Sequence, residues 1–130
     1  MSDRYLLDSH ARVWWADLPG RLPSGLRDRL VAADSVTVSD VSLWELPIKC
    51  GTGKLRLVPD VGTWFDQMAG SHRWRRLRVD DRHVALVEHL SHHHHDPFDR
   101  RLVAQATHER LTLVSRDPWF AEYDIEAVWA

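Results

Sequence analysis

The amino-acid sequence predicts an α/β fold in which helices sandwich a mostly parallel central sheet. Short apolar runs typical of buried strands occur at residues 5–7, 36–38, 111–114 and 125–128. Segments with helical patterns lie between these runs, and this alternation favours a parallel sheet covered on both faces. The chain has 130 residues and neither a repeat nor a linker, so we expect a single domain over residues 1–130.

Capping residues, prolines and glycines set the boundaries of the predicted elements. Asp8 closes the first strand, and Ser9 is a candidate cap for the helix that follows it. Ser42 and Glu45 have the spacing of a capping box, which places Pro47 near the first turn of its helix. The predicted elements are, in chain order, a strand at 5–7, helices at 9–15 and 24–33, a strand at 36–38, helices from 42 to Gly51 or Gly53 and at 60–70, a strand at 75–79, helices at 81–90 and 97–110, and strands at 111–114 and 125–128.

Four carboxylates are predicted to meet at one edge of the sheet. Asp8 and Asp117 each follow a predicted strand, and the carboxyl ends of parallel strands share an edge. Glu45 and Asp99 are expected in the first turns of two helices that begin near that edge. Clustered carboxylates repel one another and suit a hard divalent cation such as Mg²⁺ or Mn²⁺. Such an ion lowers the pKa of a bound water and offsets charge on a phosphodiester.

Each of these carboxylates also has a purely structural explanation. Asp8 could cap a helix, Glu45 could complete a capping box, Asp99 could favour a helix dipole, and Asp117 could form a turn. Their joint placement is therefore what supports a metal site. The sequence contains no competing Ser-His-Asp order, glycine-rich phosphate loop or zinc-ligand spacing.

Two groups of motifs lie in the two halves of the chain. In the first half they are Leu6-Leu7-Asp8-Ser9-His10-Ala11, Val38-Ser39, Ser42-Leu43-Trp44-Glu45, Ile48-Lys49 and Gly53-Lys54-Leu55. In the second half they are His95-Asp96-Pro97-Phe98-Asp99-Arg100, Ala104-Gln105-Ala106, Leu113-Val114-Ser115-Arg116-Asp117 and Val128-Trp129-Ala130. Together these motifs resemble those of the VapC-type PIN-domain ribonucleases, over essentially the whole chain and in the same order.

The resemblance implies a PIN-like fold and a Mg²⁺- or Mn²⁺-dependent endoribonuclease that acts as the toxin of a type II toxin–antitoxin pair. It implies an RNA substrate, a cognate VapB-like antitoxin and a homodimer. The implied metal-binding and catalytic residues are Asp8, Glu45, Asp99 and Asp117. Further candidates for holding a water, a ligand or the substrate are Ser9, Ser115, Asp96 and Arg100. Asp96 competes with Asp99 for the third ligand position, and Asp99 is preferred because it lies in the first turn of a helix.

Two alternatives from other functional classes stay open. The chain could be a catalytically weak PIN-fold regulator that binds RNA or protein, although all four acidic positions are filled. It could also be a different metal-dependent phosphohydrolase, but such an enzyme would need a second aspartate two residues after Asp8, where His10 stands.

Charge and composition limit the possible partners and the location. The net charge of −2 means that RNA binding would need a local basic patch, and residues 73–78 supply four arginines around Trp74. The histidines at 92–95 are interpreted as a solvated loop near the mouth of the site. A single cysteine, no signal-peptide pattern and no membrane-spanning run predict a cytoplasmic protein without a membrane partner.

Overall fold

The computed structural model describes residues 3–53, 60–90 and 97–129, without the side chain of Lys49. Within these residues, helices alternate with strands as the sequence predicts. The strands are β1 (Arg4–Leu7), β2 (Ser35–Ser39), β3 (Arg75–Leu77), β4 (Thr112–Val114) and β5 (Ala127–Val128). The α-helices are α1 (Ser9–Asp17), α2 (Ser24–Ala32), α3 (Asp40–Gly51), α4 (Val61–His72), α5 (Asp81–His89) and α6 (Pro97–Glu109), with short 3₁₀ helices at Pro19–Arg21 and Pro118–Glu122.

The five strands form one sheet in the order β3-β2-β1-β4-β5, and every observed pair is parallel. The central strand β1 pairs with β2 on one side and with β4 on the other. Leu6 and Leu7 of β1 are fully buried on opposite faces, as expected for the middle of a parallel sheet. The predicted α/β fold with a parallel sheet between helices is therefore confirmed.

Two apolar cores lie on the two faces of the sheet. On one face, Leu7 and Val38 pack with residues of α1, α2 and α4, including Trp64. On the other face, Leu6 and Leu113 pack with α6 and with the 3₁₀ helix at Pro118–Glu122. Helix α3 contributes to both cores, because Val41 belongs to the second core and Leu46 belongs to the first. Helix α3 therefore crosses the sheet at its carboxyl edge.

Helix caps differ from the prediction at two places. Helix α1 is capped by Asp8, whose Oδ1 accepts a hydrogen bond from the Ala11 N–H, so the prediction of Ser9 as cap was wrong. Helix α3 begins at Asp40 after the cap residue Ser39, because the Ser39 hydroxyl accepts from the Val41 N–H. Its first turn is therefore earlier than predicted, and Ser42 is a buried helical residue rather than a cap.

This earlier start changes the positions of two residues of α3. Glu45 is the sixth residue of the helix, in its second turn rather than its first. Pro47 is the eighth residue of twelve, well inside the helix rather than near its first turn. A proline at this depth removes a helical hydrogen bond.

Helix α5 presents a different face to the core than its apolar pattern predicts. The pattern of residues 81–90 places Val84, Ala85, Val87 and Leu90 inward, but Val84 is 62% exposed and Ala85 is also exposed. His83 is the buried residue, with 2% exposure. Its ring completes a capping box with Asp80 and lies 3.0 Å from Glu109 of α6, and these contacts set the rotation of the helix.

The described residues include no helix that is long and apolar enough to span a membrane. The tryptophans of the helices differ in their burial. Trp64 is buried, whereas Trp44 on α3 is 70% exposed.

Candidate active site

A cleft of about 410 Å³ opens at the carboxyl edge of the sheet, where β1 and β4 end. All four predicted carboxylates line it, although they come from four separate parts of the chain. The residues that line the cleft are Asp8, Ser9, His10, Glu45, Asp99, Ser115, Arg116, Asp117, Pro118 and Phe120. Parallel strands and the crossing helix α3 thus bring together groups that are more than 100 residues apart in the sequence.

Asp8 lies deepest in the protein among these carboxylates, at 8% exposure. Its backbone N–H donates to the Val114 carbonyl (3.1 Å), and its side chain accepts from the Ala11 N–H (2.8 Å). Burial raises the pKa of Asp8, and the charge of Glu45 raises it further, while hydrogen bonds from Ser115 and Ala11 act in the opposite direction. The ionised carboxylate is therefore poorly stabilised by the protein alone, and a cation in the cleft would favour it.

Ser115 connects Asp8 to Asp117. Its hydroxyl donates to the Asp8 carboxylate and accepts from the backbone N–H of Asp117 at 3.1 Å. Asp117 in turn accepts from the Trp119 N–H (2.9 Å) and begins the 3₁₀ helix at Pro118–Glu122. One buried serine therefore connects the Asp8 carboxylate to the backbone of Asp117.

Glu45 and Asp99 approach the cleft from two helices. Glu45 lies in the second turn of α3, and Asp99 is the third residue of α6 after Pro97. Both side chains are half-buried. Ser9 begins α1 beside them and is buried at 4% exposure. The four carboxylates thus combine one buried group with three that solvent can reach.

The structure places the remaining predicted site residues differently. Arg100 does not line the cleft, because its guanidinium donates to the carbonyls of Val87 (3.2 Å) and Leu90 (3.4 Å) at the end of α5. Asp96 and the histidines at 92–95 lie outside the described residues. For the third ligand position, the structure therefore describes Asp99 but not its competitor Asp96.

Four residues of the cleft were not singled out from the sequence: His10, Arg116, Pro118 and Phe120. His10 and Arg116 each adjoin a predicted ligand in the sequence, two residues after Asp8 and one before Asp117. That proximity to strand-end carboxylates was the available signal for both. Phe120, which is 1% exposed, forms an apolar wall with Pro118, and no comparable signal in the sequence pointed to these two residues.

The basic run at 73–78 is partly used within the fold. Arg76 on the edge strand β3 pairs with Asp40 at 2.7 Å, and Trp74 is buried. Arg73 ends α4 in the left-handed conformation, with a φ of 54°. The run therefore carries less unpaired positive charge than its composition implies.

A second group of acidic and histidine side chains lies elsewhere, formed by Asp80, His83 and Glu109. The Nδ1 atom of His83 accepts from the Asp80 N–H (3.1 Å), and its Nε2 atom lies 3.0 Å from Glu109. An imidazole whose Nδ1 accepts a hydrogen bond carries its proton on Nε2, so neither nitrogen offers a free lone pair to a metal ion. We interpret this group as a structural connection between α5 and α6.

Comparisons with known proteins agree with this architecture. Residues 5–126 match the family described as PIN domain. Over 113 residues the chain is 30% identical to "Ribonuclease VapC22" of Mycobacterium tuberculosis. The aligned region covers 86% of this chain and 85% of that protein.

Solved structures show the same fold at low sequence identity. A chain of VapBC2 from Rickettsia felis, solved with a promoter DNA fragment, matches with a TM-score of 0.73 at 15% identity and covers 95% of this chain and 96% of that one. DNA-bound VapBC from Salmonella typhimurium matches with a TM-score of 0.72 at 17% identity over 100% of both chains. FitAcB from Neisseria gonorrhoeae matches with a TM-score of 0.67 at 18% identity over 95% of both chains.

The parallel sheet, the carboxylate cleft and these matches define a PIN-domain protein, and the chain belongs to the PIN-domain family. Within that family its sequence is similar to a ribonuclease of the VapC type. The resemblance inferred from the sequence motifs is therefore confirmed.

Proposed function

We propose that this protein is a metal-dependent endoribonuclease and the toxin of a VapBC-like type II toxin–antitoxin pair. The observation that carries the proposal is the convergence of Asp8, Glu45, Asp99 and Asp117 in one cleft of a PIN domain. The 30% identity to a protein named as a ribonuclease supports the same substrate class.

The donor set of the cleft fits a hard divalent cation. Four carboxylates offer only oxygen ligands, which Mg²⁺ and Mn²⁺ prefer. Burial is the main cause of the raised pKa of Asp8, and the nearby charge of Glu45 adds to it, so a cation in the cleft would favour the ionised carboxylate. We assign Asp8, Glu45, Asp99 and Asp117 as the residues that hold Mg²⁺ or Mn²⁺. When bound, the ion supplies an acidified water and neutralises charge that develops on the phosphodiester.

The protein's own residues then prepare the site. The Ser115 hydroxyl contacts the Asp8 carboxylate and the backbone N–H of Asp117, so the backbone at Asp117 is held close to Asp8 before any ligand enters. The Ala11 N–H fixes one oxygen of Asp8 by donating to its Oδ1 atom. Phe120 and Pro118 form an apolar wall that restricts water. Ser9, at the start of α1, is placed to hold a water or a ligand beside Asp8.

The proposal extends to partners, domain structure and location. We propose that residues 1–130 form one PIN domain, that two copies form a homodimer, and that a VapB-like antitoxin inhibits the cleft. RNA is the substrate, and the cytoplasm is the compartment in which toxin, antitoxin and RNA meet. A basic side chain of the antitoxin would be attracted to the four carboxylates.

The first test is cleavage of total cellular RNA by purified protein in Mg²⁺ or Mn²⁺. We expect discrete fragments that disappear with EDTA and with the Asp8→Asn variant. The matched control is Asp28→Asn, which changes an exposed aspartate on α2 away from the cleft. If the antitoxin-free protein binds RNA but leaves it intact with either metal, the regulator alternative replaces the nuclease.

A further inference from the structure

Two side chains on one wall of the carboxylate cleft, His10 and Arg116, rest on the same tryptophan. The guanidinium carbon of Arg116 lies 4.8 Å from the centre of the Trp14 ring, and the His10 ring contacts Trp14 edge-on at 6.0 Å. Trp129 packs edge-on against Trp14 at 5.7 Å, and the guanidinium carbon of Arg21 lies 5.7 Å from the same ring centre. We call these five residues the Trp14 platform.

The platform holds Arg116 without neutralising it. Among the residues that the structure describes, Arg116 forms no ion pair, although Asp117 follows it directly. An arginine stacked on an aromatic face keeps its in-plane N–H donors available for a planar or tetrahedral anion. Arg76 and Arg100 differ, because Asp40 pairs with the first and the carbonyls of α5 engage the second.

An RNA substrate needs such a group at this place. Four carboxylates repel a polyanion, and the net charge of −2 supplies no general attraction. A bound metal offsets the charge only at the reacting phosphate. A phosphate beside the reacting one would still face the acidic cleft unless a cation on the wall attracted it.

We propose that Arg116, held by Trp14 and accompanied by His10, binds a backbone phosphate of single-stranded RNA next to the phosphate at the carboxylates. This inference rests on the proposed ribonuclease function and assigns to it a substrate-binding subsite. Arg116 acts as the phosphate ligand, and Trp14 is a positioning residue that limits the conformations of the arginine. Arg21 and Trp129 complete the platform through their own contacts with Trp14.

The test measures binding of a fluorescein-labelled single-stranded oligoribonucleotide in EDTA at several salt concentrations, together with cleavage kinetics in Mn²⁺. For Arg116→Ala we expect about tenfold weaker binding and a salt slope smaller by about one charge. KM should rise while kcat changes little, because the lost contact is made equally to substrate and transition state. The RNA affinity of Arg116→Lys should lie between that of the unaltered chain and that of Arg116→Ala, because lysine keeps the charge but lacks the planar guanidinium that stacks on Trp14.

The matched control is Arg29→Ala, which removes another arginine packed over an aromatic ring, Tyr5, away from the cleft. It should bind RNA like the unaltered chain, and far-ultraviolet circular dichroism should show both alanine variants folded. Unchanged RNA affinity and salt slope in Arg116→Ala would overturn the inference. This holds even if the variant binds the antitoxin more weakly. An unaltered chain that binds RNA without cleaving it refutes the nuclease and leaves the Arg116 comparison readable from binding. An unaltered chain that neither binds nor cleaves RNA refutes both.

Discussion

The hydroxyl of Ser39 donates a hydrogen bond to the side-chain oxygen of Gln105 in the interior of the protein. Ser39 is the cap of α3 and Gln105 lies on α6, and the two residues are 1% and 0% exposed. The same hydroxyl oxygen accepts from the Val41 N–H, so its hydrogen is directed towards Gln105. This contact ties the helix that carries Glu45 to the helix that carries Asp99.

Replacement of Gln105 by leucine should therefore weaken both the fold and the site. The change leaves the Ser39 hydroxyl buried without its acceptor, which costs about 1–3 kcal/mol in the free energy of unfolding. We also expect weaker Mn²⁺ binding, because α3 and α6 lose a fixed connection. Urea denaturation and calorimetric titration with Mn²⁺ measure the two effects.

A double-mutant cycle with Ser39→Ala tests whether the contact itself is responsible. Coupled residues in one hydrogen-bond network typically give interaction energies of about 0.5–3 kcal/mol. Thr107→Val is the control, because its hydroxyl donates only to the Val103 carbonyl within α6. Additive effects of Ser39→Ala and Gln105→Leu would contradict the proposed coupling.

Asp8 should make the stability of the metal-free protein depend on pH. Because burial raises the pKa of Asp8 above its ordinary value of 3.8, the folded chain holds this proton more tightly than the unfolded chain. The contribution of this proton to the free energy of unfolding is fully present at pH values below the ordinary pKa, and it is lost as the pH rises through the pKa of Asp8 in the folded chain. Asp8→Asn should therefore raise the melting temperature at neutral pH in EDTA, and the gain should vanish below about pH 4.

Added Mn²⁺ should reverse the order of the two melting temperatures, so that the unaltered chain melts at a higher temperature than Asp8→Asn. The unaltered chain gains stability by binding the ion, whereas Asp8→Asn loses a ligand and gains little. Asparagine can still accept from the Ala11 N–H, so the cap of α1 is retained. Differential scanning calorimetry of the unaltered chain and of Asp8→Asn, each with and without Mn²⁺, measures the four melting temperatures. A lower melting temperature of Asp8→Asn at every pH would indicate that Asp8 acts mainly as a helix cap.

The sequence allowed prediction of those features that depend on local pattern and chain order. Apolar runs ending in Asp8 and before Asp117 predicted two strands and a shared edge, because parallel strands present their carboxyl ends together. The helical pattern from Pro97 likewise placed Asp99 in a first turn, as the structure has it. These inferences needed no knowledge of which side chains touch.

Features that depend on contacts between distant elements could not be predicted. The start of α3 is set by Ser39, which has a buried partner 66 residues away, and the nearer Ser42 with Glu45 offered a plausible local cap. The face of α5 is set by the contact of His83 with Glu109 on α6. The role of Arg116 depends in the same way on Trp14, a ring from the other end of the chain.

Pro47 is expected to destabilise helix α3. Pro47 lies inside the helix, where a proline costs a hydrogen bond and clashes with the preceding turn. Pro47→Ala should therefore raise the free energy of unfolding by about 1–3 kcal/mol. The control Val31→Ala at another exposed helical site should change it by only a few tenths. A lower Mn²⁺ affinity in Pro47→Ala would additionally indicate that the proline helps to place Glu45, and a destabilised variant would contradict the prediction.

The competition between Asp96 and Asp99 for the third ligand position can be decided by matched variants. Asp99 lines the cleft with Asp8, Glu45 and Asp117, so Asp99→Asn removes charge where the metal and the reacting phosphate are expected. A metal ion contributes several kcal/mol to transition-state stabilisation, and each 1.4 kcal/mol is tenfold in rate, so we expect cleavage to fall about 100-fold or more. Mn²⁺ affinity should fall with it. Asp96→Asn, three residues earlier in the sequence and with the same loss of charge, should leave both cleavage and Mn²⁺ affinity nearly unchanged. If Asp96→Asn abolishes cleavage while Asp99→Asn retains it, the assignment is reversed, and Asp99 is then a residue that only favours the dipole of α6.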